Sequence, residues 1–137
     1  MIWQVVFITE RFKYLRLKGR LMRYDKRKII GLTEKVMVLG NNGHKKEVVA
    51  KIDTGATKSS IDVNLAANLN LGPVIRSKLV KSASGNKLRP VIETLVKFAG
   101  KKIKEEFTLA DRAHMKYAIL IGQNILGSNF LIDPGKK

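Results

Sequence analysis

Val48-Val49-Ala50-Lys51-Ile52-Asp53-Thr54-Gly55-Ala56 carries an apolar strand straight into a polar turn. β-branched residues over 47–52 predict the strand. Asp-Thr-Gly ends it, because a short carboxylate and a glycine suit a tight turn. Upstream, Val36-Met37-Val38-Leu39 and the turn Gly40-Asn41-Asn42-Gly43 make this strand the second arm of a hairpin. Downstream, residues 59–61 read as a short strand. Asp62 reads as the N-cap of a helix in which Leu65 and Leu69 lie four apart, closed by Gly72-Pro73. Residues 74–81 and 88–98 form a second hairpin around a turn at 82–86, and Gly100-Lys101 turns the chain into a strand at 103–110. A buried strand at 117–121 ends at Gly122, followed by a short helix at 124–127 and a last strand at 130–132. Many short strands, regular turns and one or two short helices predict a mostly β fold.

The composition narrows the function classes. The 137 residues include 27 Lys+Arg against 11 Asp+Glu, a net charge of +16, and no cysteine. An apolar fraction of 45% suffices for one domain with its own core. Without cysteine there is no disulfide framework and no thiolate nucleophile, which suits a reducing, cytoplasmic setting. The longest apolar runs, 3–8 and 117–121, fall far short of the roughly 20 residues that span a bilayer. The run at 2–8 also precedes the basic residues instead of following them, unlike a secretory leader. Such a charge excess favours an acidic partner: nucleic acid, an anionic membrane surface or an acidic peptide. Nucleic acid is the less favoured of these, because no aromatic-basic signature accompanies the charge and the basic residues of 31–137 are scattered.

Residues 1–28 differ from the rest. Phe12, Leu15, Leu21 and Met22 are spread among basic residues there. Three descriptions stay open: a basic amphipathic helix over 10–28 touching RNA or lipid, a frayed, disordered extension, or residues ahead of a true start at Met22. Residues 29–137 form the folded domain.

The chemistry is concentrated at Asp53. An apolar strand ending in Asp-Thr-Gly is the active-site pattern of aspartic proteases. Its second half is a later apolar-apolar-Gly strand, found here as Ile119-Leu120-Ile121-Gly122. Hydrolysis of a peptide bond without metal or covalent nucleophile needs a base to activate water and an acid to protonate the leaving nitrogen. Two carboxylates about 3 Å apart do both, since they share a proton. Asp53 is the candidate carboxylate. Gly55 lets backbone approach it, and Thr54 is placed to lock the loop against a second copy. The hairpin at 78–90 lies where these enzymes carry a flap, with Ser84 and Gly85 at its tip. Ala56, Ser84, Gly85 and Gly122 are therefore candidate substrate contacts. Leu131-Ile132-Asp133-Pro134-Gly135 imitates the pattern, but Pro replaces the hydroxyl residue and too little chain follows for a second lobe. The second carboxylate must come from another chain, so a homodimer is expected.

Residues 29–134 resemble the retropepsin-like aspartic protease family, the bacterial and archaeal group labelled ATP-dependent zinc protease. The matching stretches are Ala50–Ala56, Arg89-Pro90-Val91-Ile92-Glu93-Thr94, Thr108-Leu109-Ala110-Asp111-Arg112, Met115-Lys116-Tyr117, Leu120-Ile121-Gly122 and Ile132-Asp133-Pro134. The resemblance implies a closed acid-protease β-barrel, Asp53 as catalyst and a peptide or protein substrate. The family's association with ligases that add glutamates to a ribosomal protein implies a glutamate-rich target. The zinc label finds no support in the residues: His44 and His114 are the only histidines, with no His-Glu-X-X-His pattern, so no metal or other cofactor is assigned. Viral retropepsins pair an acid after the Asp-Thr-Gly-Ala with an arginine after the later Gly. Here those positions are Thr57 and Gln123, and a neutral hydrogen bond between the two is expected instead. Two other functions stay open at this level: a catalytically silent dimeric peptide-binding module, and a basic ribosome- or RNA-associated protein.

Overall fold

The computed structural model describes residues 27–82, 85–127 and 129–136, together with the backbone of three strands nearer the N-terminus; Ser82 is described by backbone alone. Those first strands are β1 (Gln4–Ile8), β2 (Lys13–Leu17) and β3 (Arg20–Arg23), paired antiparallel in that order. Within 10–28 the described residues form strands at 13–17, 20–23 and 28 with a bend at Arg27, and none of them is helical. Then follow β4 (Lys28–Ile30), β5 (Thr33–Leu39), a 3-10 turn (Asn41–Gly43), β6 (Lys45–Ile52), β7 (Ser59–Asp62), α1 (Val63–Asn68), β8 (Val74–Ser82) and β9 (Gly85–Phe98). The chain ends with β10 (Lys101–Ala110), β11 (Ile119–Ile121), α2 (Gln123–Leu126) and β12 (Phe130–Ile132).

Six of these strands close on themselves in the order β10-β7-β11-β6-β5-β9, with β9 pairing back to β10. Closure removes the free sheet edges that invite aggregation. β8 lies outside the ring on β9, and β4 and β12 form a separate parallel pair. Alternation puts Val36 and Val38 of β5 and Ala50 and Ile52 of β6 inside, where they meet Ile61, Val96, Phe107, Ile119 and Ile121. Phe130 stacks on Phe98 with ring centroids 4.8 Å apart, which joins the β4–β12 pair to the barrel. The expected closed β-barrel with two short helices is what the chain forms.

Local expectations hold at most junctions. Asp62 caps α1 by accepting the amide of Leu65 at 3.3 Å. The hairpin at 74–98 is tighter than the sequence reading: Gly85 and Asn86 belong to β9, and Ser82 pairs with Gly85. Its tip, including Ser84, lies outside the described residues.

Candidate active site

The Asp53 loop is held by the strands behind it. β11 runs parallel to β6, pairing Ile121 with Ile52, and the Ile121 carbonyl accepts the Asp53 amide at 2.9 Å. The Asp53 side chain turns back on its own loop, its Oδ1 accepting the Gly55 amide at 2.9 Å. A methyl group at Gly55 would stand 3.3 Å from that oxygen, crowding the carboxylate. Asp53 itself is half-buried, with Thr54 and Gly55 exposed beside it.

Gly122 fixes the loop from the rear. It is buried, and a side chain there would collide with the carbonyls of Lys58 and Ala56 at 2.5 and 2.8 Å. Only glycine permits this approach. Its amide donates to Ser59 Oγ at 3.0 Å, and that hydroxyl donates to Asn124 Oδ1 at 2.8 Å. Asn124 also accepts the Ser59 amide and donates to the Glu106 carbonyl, each at 2.9 Å, which ties α2 to β7 and β10.

Gln123 completes the clamp, in a way the sequence did not indicate. Its Nε2 donates to the Thr54 carbonyl at 2.7 Å and its backbone amide to the Ala56 carbonyl at 2.8 Å. The expected Thr57–Gln123 hydrogen bond is not formed. The loop turns the carbonyls of Thr54 and Ala56 toward α2, and the glutamine amide satisfies the first of these backbone acceptors instead.

A cavity of about 330 Å³ opens beside the loop, with Gly55 and Ala56 on one wall and Lys78, Val80 and Arg89 of the β8–β9 hairpin on another. Lys58 and Arg112 also line it, and no acidic side chain does. Glu106, close by, is held below its usual value by its hydrogen bond to Arg76, against the opposing effect of burial, with Lys58 and Lys78 adding to the shift. Among the expected substrate contacts, Ala56 lines this cavity. Gly85 sits at the exposed start of β9 and Gly122 lies behind the loop. Among the described residues, no group of three His, Cys, Asp or Glu side chains could hold a metal ion. The residues that sequence reasoning missed are Ser59, Asn124 and Arg112. The first two are polar residues made structural by long-range pairing. Arg112 stands inside a stretch that carries the family resemblance, but nothing in its spacing shows a role.

Comparison with known proteins agrees with this geometry. The family model of the retropepsin-like aspartic endopeptidase RimB matches residues 63–137, more than half of the chain. That match begins beyond Asp53. No curated protein matches the chain. The fold is similar to the crystal structure of a Legionella pneumophila protein of unknown function, at a TM-score of 0.56 and 22% identity over 80% of this chain and 95% of that one. It is also similar to the solution structure of the simian foamy virus protease, at a TM-score of 0.51 and 21% identity over 69% of this chain and 91% of that one. With this fold around an Asp-Thr-Gly loop and a match over its C-terminal half and more, the chain belongs to the RimB-like family of retropepsin-like aspartic endopeptidases.

Proposed function

We propose that the chain is an aspartic-type endopeptidase that hydrolyses peptide bonds with a water activated between the Asp53 carboxylates of two copies. One observation carries this reading. Asp53 stands on a loop clamped from behind by Gly122 and Gln123, beside a cavity walled by a hairpin, and among the described residues no second free carboxylate lines that cavity. Asp62, the acid that with Asp53 acts on the charge of Arg112, is 8% exposed and already occupied by the amides of Leu65 and Arg112. A two-fold dimer supplies the missing partner directly.

In such a dyad one carboxylate removes a proton from the water as its oxygen attacks the carbonyl carbon. The other, protonated, donates to the carbonyl oxygen. Collapse of the tetrahedral intermediate breaks the C–N bond as the protonated carboxyl gives its proton to the nitrogen and one hydroxyl of the intermediate returns a proton to the other carboxylate. The products are a carboxylic acid and an amine, and the dyad returns to its starting state. The Gly55 amide holds one Asp53 oxygen, leaving the other for water. The exposed Thr54 hydroxyl is the group that would lock the two loops together. Ala56, Ser84 and Gly85 are the proposed contacts of the substrate backbone, and Gly122 supports the loop from behind.

The net charge supports an acidic, glutamate-rich peptide as substrate, because a positive field concentrates anionic peptides at a cleft. Absence of cysteine and of any described helix long and apolar enough to cross a membrane fits a cytoplasmic setting. The test is Asp53→Asn. It should keep the circular dichroism spectrum and the dimer while lowering hydrolysis by at least about 10³-fold; retained turnover would place the chemistry elsewhere.

A further inference from the structure

Arg112 is 7% exposed, an unusual place for a guanidinium. It follows β10, and two bonds fix it: its backbone amide donates to Asp62 Oδ1 at 2.8 Å, and its Nε donates to the Tyr117 carbonyl at 2.9 Å. Its two Nη groups have no hydrogen-bond or ion-pair partner among the described residues, and the residue lines the cavity beside the Asp53 loop. Burial first, and Arg89 second, push its pKa below the ordinary value, while Asp62 and Asp53 pull it back. The group nonetheless stays cationic, as arginine does in proteins.

Ser60 supplies a second and independent observation. It is 8% exposed, lines the same cavity, and its hydroxyl is buried without a hydrogen-bond partner among the described residues. Its neighbour Ser59 faces the barrel side, where Gly122 and Asn124 satisfy it. Alternation along β7 therefore puts Ser60 on the face it shares with Asp62 and Arg112. A buried hydroxyl and a buried guanidinium with unused donors in one cavity call for the same missing acceptor.

We infer that Arg112 and Ser60 form a specificity subsite that binds one carboxylate of the peptide substrate within the cavity beside Asp53. A planar carboxylate matches the forked Nη donors, and the serine hydroxyl adds a further donor. The inference rests on the peptidase reading but adds a residue-level claim: general positive charge draws acidic peptides in, while Arg112 selects the one side chain or chain end that occupies this position. Lys58 and Lys78 are less suited to the role, since both are only half-buried and water screens their charge.

The test uses the full-length Asp53→Asn variant and capped alanine-based hexapeptides in which a single Glu, or its isostere Gln, moves through each position. Binding is measured in about 0.5 M salt, where the long-range field is screened but a buried pair persists. One position should prefer Glu over Gln by about ten- to hundredfold, the range of a charge-assisted contact. Adding Arg112→Gln should bring that ratio close to one, and Ser60→Ala should lower it several-fold. The ratio is internal to each variant, so partial misfolding cannot imitate the effect, and Ser60→Ala removes only an unpaired hydroxyl. Free versus amidated C-termini separate a chain-end carboxylate from a side-chain one. A Glu preference absent at every position and at the chain end, or unchanged in both variants, overturns the inference. So does a dimer structure in which Arg112 is paired with a carboxylate of the second copy. Cleavage by the unsubstituted chain without any carboxylate preference sinks the subsite alone. An Arg112-dependent preference without cleavage sinks the peptidase reading alone.

Discussion

The loops at Asp53 and Asp133 are built to the same local plan. In each, the aspartate Oδ1 accepts the amide of the glycine two residues on, at 2.9 Å. In each, the aspartate amide donates back to a strand carbonyl, Ile121 at 2.9 Å for one and Ile30 at 2.8 Å for the other. Each also closes with an amide three residues on, Ala56 at 3.3 Å and Lys136 at 3.1 Å. Their surroundings divide them. The Asp53 loop is clamped by Gln123, packed on Gly122 and set beside a cavity lined by basic side chains. Asp133 is exposed at the end of the β4–β12 pair, where Lys136 reaches across to Glu34. An Asp-X-Gly turn is thus easily made, and the clamp and the cavity are what set the Asp53 loop apart from the Asp133 strand end.

The contrast is broken most directly by paired substitutions. Asp53→Asn should lower kcat/KM by at least about 10³-fold. Asp133→Asn, in the same local geometry, should stay within about twofold of the unsubstituted chain. Equal losses would mean that the loops are functionally equivalent. A smaller effect comes from the clamp. Gln123→Ala removes a bond worth about 1 kcal/mol, and a looser loop should lower kcat about tenfold with KM little changed. An unchanged kcat would show that Gly122 packing alone positions Asp53.

The smallest effect belongs to the Asp133 side, which is read as structural. Glu34 Oε1 accepts the Gly31 amide and Lys136 Nζ, each at 2.8 Å. Burial raises its pKa, but the Lys136 hydrogen bond, the Gly31 amide and the Lys136 charge outweigh that and hold it below the ordinary 4.5. A carboxylate with a lowered folded-state pKa adds stability above its unfolded value and loses it as pH falls through the folded one. Glu34→Gln should therefore cost about 1 kcal/mol at pH 7, with activity per folded molecule unchanged. Urea melts of the two proteins should converge as the pH drops below 4.5. A constant gap across that range would remove the ionic account of this contact.

The barrel was legible because its signals are local. Alternation in β5 and β6, the Gly40–Gly43 turn, the Asp62 cap and the strand ending at Gly122 each announce themselves within a few residues. The position of Asp53 was legible for the same reason, since the strand that carries it ends in an unmistakable turn. The clamp was not. Gln123 bonds to Thr54 across 69 positions and Asn124 to Ser59 across 65, and no periodicity links such pairs. Expecting Gln123 to meet Thr57 transferred a side-chain pair from a family pattern, whereas the backbone carbonyl of Thr54 is the acceptor actually within reach. Arg112 stayed hidden for a different reason: a charged residue in a basic sequence reads as surface until its burial is known.

The central claim is that two Asp53 side chains make one site, and mixing subunits tests it. Unsubstituted chain and Asp53→Asn chain are co-refolded at varied ratios with total protein held constant, and peptide hydrolysis is recorded. If each site needs both carboxylates, activity follows the square of the unsubstituted fraction, so an equal mixture retains about one quarter of full activity. Activity that falls in direct proportion, leaving about half at that mixture, would show that a single chain carries a complete site and would contradict the account.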